Sequence, residues 1–267
     1  MTNPDNGARL RFSANLSLLF KELEPLERIE AAARAGFDGV EWQFPFDLPR
    51  AELYSRCKNN GVTCNHINTP MGEAGMFGLA AQPGFEDAFA RALDLALEYA
   101  TALGCLTIHC MSGVVAPAVR AKARHTFLHN MERAGKLAQS AGVTLCLEPI
   151  NTRDRPGYFI SHSDETALLL DEIDNSHVKL LFDFYHIQIM EGDLFARLEK
   201  HWNRIGHIQI ASVPKRNEPD CGEFDCFNIF TELQRRGWQG FIGAEYTPAG
   251  ATLDGLGWLN KAKANRL

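Results

Sequence analysis

The sequence predicts an α/β fold, a single (β/α)8 TIM barrel spanning residues 1–267, with residues 1–9 as a flexible N-terminal tail. Short apolar, β-rich runs alternate with helical stretches along the chain, and strict alternation means a parallel sheet. Eight such runs in 267 residues come to one per ~33, about the length of a βαβ unit. No GxGxxG follows the first run and no GxxxxGK precedes a Ser or Thr, so an open doubly wound sheet lacks its usual nucleotide signature.

The eight runs are residues 10–17, 39–42, 63–68, 106–111, 144–150, 179–184, 206–211 and 241–247. Three of them read LTIHCM, TLCLEPI and KLLFDF, nearly continuous apolar stretches that suit parallel strands covered on both faces. Helices are expected over 25–35, 85–103, 120–141 and 227–236, each followed at once by Gly36, Gly104, Gly142 or Gly237 as a C-terminal stop. Another opens at Ser163, where Asp164 and Glu165 place acids in the first turn.

Composition narrows the function classes. With 45% hydrophobic and 22% charged residues the chain is ordinary globular protein, not disordered, collagenous or coiled coil. A net charge of −6 argues against nucleic acid and against an anionic membrane surface as partners. Residues 1–9 are polar with no apolar core of a signal peptide, and no run reaches the ~18 apolar residues of a membrane span. The seven cysteines are odd in number and scattered, as in a cytoplasmic protein with reduced thiols.

A barrel of this class gathers its active site at the C-terminal ends of the strands. The polar residues there are Asn15, Glu41, His66 with Asn68, His109, Glu148, Asp183, Gln209 and Glu245. An unpaired buried charge is heavily disfavoured, so a carboxylate ending an apolar strand calls for a reason. Glu41 alone reads most simply as a salt-bridge partner. Glu148, Asp183, Gln209 and Glu245 fall on consecutive strands and can converge; three carboxylates in one place repel unless a cation joins them. Oxygen donors of this kind suit a hard divalent ion, Mg2+ or Mn2+, rather than a Cys/His zinc cage. His66 and His109 are expected to face the pocket. His186, three residues after Asp183, is expected to meet a substrate hydroxyl or support the ligands. In the loop after the seventh strand, Arg216 is positioned to clamp a substrate carboxylate, while Lys215 reads as a solvated charge.

These residues lie in segments that make the chain recognisable. RFSANLSLLF (11–20), AGFDGVEWQFPFD (35–47), LEPINTRDRPGYF (147–159), FDFYHIQIMEGDL (182–194), GHIQIASVPKRNEP (206–219) and FIGAEYTPAGATLDGLGWL (241–259) resemble the hydroxypyruvate isomerase family, part of the xylose-isomerase-like barrel superfamily. The resemblance spans nearly the whole chain. It implies an isomerase interconverting hydroxypyruvate and tartronate semialdehyde, with Glu148 and Glu245 shuttling the proton and a divalent metal at Glu148, Asp183, Gln209 and Glu245. His66, His109, His186 and Arg216 would then bind a small keto or hydroxy acid. A homodimer or higher homo-oligomer is compatible with the chain. Two loops depart from the family pattern: NHINTPMGEAGMFG (65–78) stands where relatives often read HNxPxGD, and Ser212 and Lys215 stand where Asp and Gly are common. Gln209 replaces the His of many sugar epimerases. The alternatives are a 2-oxo-tetronate isomerase, a ketose 3-epimerase, a non-catalytic sugar-acid binding barrel, and a DNA-cutting zinc enzyme, which would need more strand-end histidines.

Overall fold

Eight short strands, each followed by at least one helix, close into a parallel barrel in sequence order, with β8 pairing back on β1. The computed structural model describes residues 9–264. In chain order the elements are β1 (Arg11–Asn15), α1 (Glu27–Arg34), β2 (Gly39–Trp42), α2 (Arg50–Asn59), β3 (Thr63–Asn68), α3 (Glu86–Leu103), β4 (Thr107–His109) and α4 (Arg120–Ala141). They continue with β5 (Thr144–Leu147), α5 (Ser163–Ile173), β6 (Val178–Asp183), α6 (Phe184–Met190), α7 (Leu194–His201), β7 (Ile205–Ile210), α8 (Cys226–Arg235), β8 (Phe241–Ala244) and α9 (Gly257–Ala264). Of the expected tail, residues 1–8 lie outside the described residues, and Arg9 is paired with Asp38 at 2.8 Å.

The long helices form where the apolar spacing demands. In α3, Phe89, Leu93, Ala96, Ala100 and Leu103 recur at three- and four-residue intervals and are all buried against the barrel. Gly104 and Gly142 end α3 and α4 in the left-handed region, at φ 65° and 67°, where a Cβ would be strained. Around Trp258 on α9, the rings of Phe12, Phe37, Phe230 and Tyr246 pack edge-on or tilted at centroid distances of 5.6–6.4 Å. Burying an aromatic side chain of that size contributes roughly 2–3 kcal/mol, so α9 is bound to the barrel core.

Several strands are shorter than their apolar runs. The ladder of β5 ends at Leu147 and that of β8 at Ala244, so Glu148 and Glu245 begin the following loops. Once backbone groups stop pairing, the chain can turn a charged side chain into the barrel mouth. Helix α2 has only Leu53 and Cys57 buried, a polar surface too faint in apolar period to predict a helix. Helix α6 follows β6 without any turn residue, inside one apolar run, because Asp183 itself caps it: Oδ1 accepts from the Tyr185 amide at 2.9 Å. All seven cysteines are free thiols, and six are buried.

Candidate active site at the barrel mouth

The strand ends converge on one small pocket, a cavity of about 90 Å3. Glu148 and Glu245 both line it, together with His109, His186 and Arg216. Both glutamates are 95% buried, and Asp183 is 99% buried. Asp183 on β6 and Gln209 on β7 are paired in register, so they project to the same face of the sheet.

Three side-chain oxygens there are buried without a hydrogen-bond partner: Glu148 Oε1, Asp183 Oδ2 and Gln209 Oε1. They come from three consecutive strand ends. Leaving such atoms unpaired costs about 1–3 kcal/mol each, more for charged groups. Burial, reinforced by Glu245 and Asp183, pushes the Glu148 carboxyl well above its ordinary range. Burial also pushes Asp183 up to about 7, against the opposing pull of Arg216. A hard divalent cation answers both features, by accepting the unpartnered oxygens and by neutralising the carboxylates. Glu148, Asp183 and His186 each offer an atom within 4.8 Å of the other two.

The two pocket histidines are neutral. Burial lowers His109 to about 3 and carries His186 well below its ordinary value. Their approaches to Glu148, at 3.2 Å from His109 Nδ1 and 3.5 Å from His186 Nε2, are therefore not ion pairs. The tautomer of His186 follows from its neighbours. Its Nδ1 accepts from the Asn151 backbone N–H at 3.2 Å and faces the Asn151 amide nitrogen at 2.6 Å, so the proton sits on Nε2. That Nε2–H points between Glu148 and Asp183, at 3.5 and 3.6 Å.

Glu245 is held differently. Its Oε1 accepts from Asn15 Nδ2 at 3.1 Å and Gln43 Nε2 at 2.9 Å, and its Oε2 accepts from Arg216 Nη2 at 2.7 Å. Burial opposes the Arg216 charge, yet Glu245, Asp183 and Glu148 raise its pKa further. Its guanidinium lies over the Tyr185 ring at 5.0 Å, and its Nε is buried with no partner. The Arg216 backbone adopts φ +56°, uncommon for a residue with a Cβ. Two backbone bonds hold it there, from Arg216 N to Ser212 O at 2.9 Å and from Thr247 N to Arg216 O at 2.8 Å.

Of the residues singled out in the sequence, Glu148, Glu245, His109, His186 and Arg216 line one pocket; Asp183 is buried beside it, 3.6 Å from His186 Nε2 and 3.9 Å from Arg216 Nη2, and Gln209, its register partner on β7, does not line it. His66 does not line the pocket. It stacks on His207 at 4.4 Å, with Nδ1 against Thr107 Oγ1 at 2.8 Å, because the β2–β3 register shift pairs it with buried Glu41. Lys215 is exposed and outside the pocket. Sequence reasoning passed over Gln43, Asn151 and Arg155. Only Asn151 carried a signal, its turn: Oδ1 accepts from the Asp154 amide at 2.8 Å. Met71 and Phe77, from the divergent loop after β3, complete the wall, with Arg155 stacked over Phe77 at 4.3 Å.

The profile of the xylose isomerase-like TIM barrel family matches residues 29–262. A Cupriavidus necator protein named 2-oxo-tetronate isomerase is 45% identical over 252 residues, covering 93% of this chain and 97% of its own. The Escherichia coli protein named hydroxypyruvate isomerase is 36% identical over 254 residues, covering 94% and 98%. A Brucella melitensis crystal structure described as AP endonuclease, family 2, superposes with a TM-score of 0.92 at 42% identity, covering 94% of this chain and 98% of that one. No described helix is long and apolar enough to cross a membrane. The closed barrel, the glutamate-lined mouth and these matches along nearly the full length show that the chain belongs to the xylose isomerase-like TIM barrel family.

Proposed function

We propose that this chain is a cytoplasmic aldose–ketose isomerase that interconverts hydroxypyruvate and tartronate semialdehyde. The observation that carries the reading is a pair of buried glutamates, Glu148 and Glu245, on the wall of one small-molecule pocket, each held by different neighbours. Two carboxylates with different surroundings are what an acid/base relay needs.

One glutamate takes a proton from C3 of hydroxypyruvate while the C2 carbonyl oxygen gains one, giving an enediol. The C3 hydroxyl then loses its proton as C2 receives one, and the aldehyde forms; atoms and charge balance. Glu245, paired with Arg216, is the base candidate. Glu148, with its carboxyl pushed up, is the group that returns the proton. His186 Nε2–H and His109 orient the oxygens that change protonation. Arg216 lines the pocket, and its guanidinium charge is set against the substrate carboxylate. Glu148, Asp183, Gln209 and Glu245 would hold a divalent ion, Mg2+ or Mn2+, which when bound polarises a substrate carbonyl.

A second reading, isomerisation of a 2-oxo-tetronate, is favoured by the 45% identity to the protein of that name. The chemistry is the same and the substrate one carbon longer. DNA cleavage, suggested by the name of the Brucella structure, is disfavoured by the net charge of −6 and by a site richer in carboxylates than in histidines. Kinetics on three- and four-carbon keto acids, run side by side with a neutral ketohexose, test the proposal. Turnover of the keto acids with little on the ketohexose supports it. A preference for the neutral sugar that survives loss of Arg216 would replace it with an epimerase.

A further inference from the structure

Glu41 on β2 is fully buried and takes no part in the pocket wall. Its two oxygens have divided partners. Oε1 accepts from Ser13 Oγ at 2.6 Å, Asn65 Nδ2 at 3.1 Å and His207 Nε2 at 2.9 Å. Oε2 accepts from Gln209 Nε2 alone, at 3.0 Å.

With Glu41 Oε2 accepting the Nε2–H, the Gln209 amide turns its NH2 toward Glu41 and its Oε1 away. That Oε1 is the buried atom without a partner, next in strand order to the equally unpartnered Asp183 Oδ2 and Glu148 Oε1. The space for this pairing is built into β8. A Cβ on Gly243 would fall 2.5 Å from Glu41 Oε2 and 2.8 Å from Gln209 Cγ.

We propose that Glu41 is a positioning residue: by accepting the Gln209 Nε2–H it fixes the flip of that amide and presents Oε1, the one neutral oxygen of the cation-binding set. The amide nitrogen of a flipped Gln209 has no lone pair to offer a cation. The inference rests on the reading of Gln209 as a ligand, and separates from it by experiment.

Metal-stripped protein is titrated with Mn2+ and free ion is followed by electron paramagnetic resonance, with no substrate present. Glu41→Gln, which keeps size but no longer dictates the amide orientation, is expected to weaken Mn2+ binding about tenfold or more, as loss of a ligand's support does. Gln209→Ala is expected to weaken it at least as much. Ser13→Ala removes a donor to Oε1 only; it is expected to lower the melting temperature and leave Mn2+ affinity within about twofold of wild type. A merely structural role would move Ser13→Ala and Glu41→Gln together and overturn the proposal. Weaker binding in Gln209→Ala with wild-type binding in Glu41→Gln overturns the positioning role alone. Unchanged binding in Gln209→Ala removes Gln209 from the ligand set and overturns both. Should Glu41→Gln not fold, the wild-type side-chain amide of Gln209, identified by its loss in Gln209→Ala, decides by NMR. Slow exchange of an Nε2 proton with water, with and without Mg2+, is expected; free exchange of both protons overturns the proposal.

Discussion

Arg216 donates from Nη2 to Glu245 Oε2 across 2.7 Å, so the arginine that the sequence set against the substrate is also bound to a glutamate of the site. With Asn15 and Gln43 on the other oxygen, Glu245 has three donors fixing its buried carboxylate. Such a group enters the reaction already oriented, and removing its charge should disable proton transfer without disturbing the barrel.

Glu245→Gln is accordingly expected to lower kcat on hydroxypyruvate by about 10²-fold or more, the usual loss for a positioned general base. The circular dichroism spectrum should stay that of the wild type. Near wild-type turnover in protein free of contaminating isomerase would remove Glu245 from the relay.

Arg216 has two tasks, and substitutions separate them. Arg216→Lys keeps a charge for Glu245 but loses the guanidinium, so KM should rise with a smaller change in kcat. Arg216→Met leaves Glu245 without its counter-charge, and both parameters should worsen, with kcat/KM down about 10²-fold or more. Equal behaviour of the two variants in steady-state kinetics would count against a direct contact with substrate.

His186 is assigned as an Nε2–H donor because Asn151 saturates Nδ1. A glutamine at 186 can place an amide N–H near the Nε2 position, and an asparagine cannot. His186→Gln should therefore keep activity within about tenfold while His186→Asn falls about 10²-fold, in the range of lost acid/base partners. Neither should alter Mn2+ affinity strongly. A large loss of Mn2+ binding in both would make His186 a ligand instead.

In the metal-free protein the Asp183 carboxyl should cost stability as pH rises. The Asp183 carboxyl is ordinary, at 3.8, in the unfolded chain and about 7 when folded. Between those values the folded state binds more protons than the unfolded one, so stability falls from pH ~4 to ~7 and then levels for this group. Glu148, shifted in the same direction, adds to the slope. In EDTA the melting temperature of Asp183→Asn relative to wild type should rise between pH ~5 and pH ~8, as the wild type alone pays for the buried carboxylate. Excess Mn2+ should restore stability at the higher pH, where the carboxylates are free to bind it.

The barrel was legible because its period is simple: apolar runs such as KLLFDF, then a helix, then a glycine in the left-handed region. The strand-end carboxylates were legible for a related reason, since a charge that ends an apolar run has few benign explanations. What stayed hidden depends on long-range contact. Glu41, 168 residues from Gln209, reads in the sequence as an isolated ion-pair partner, and only closure of the barrel brings β2 and β7 to the same interior layer. His66 and His109 look alike at their strand ends. The β2–β3 register shift sends the first into a stack with His207 and leaves the second on the pocket wall. Helix α6 was hidden inside an apolar run because its N-cap, Asp183, is also the last residue of β6.

The central claim is a proton moved between adjacent carbons by two glutamates beside a bound cation. It is tested most directly by proton NMR of the purified protein with hydroxypyruvate in D2O, with and without EDTA. The account predicts growth of tartronate semialdehyde signals, deuterium entering at the reacting carbon, and suppression of both by EDTA with recovery on adding Mg2+ or Mn2+. Hydroxypyruvate that keeps its C3 protons over long incubation with metal-loaded protein would contradict it.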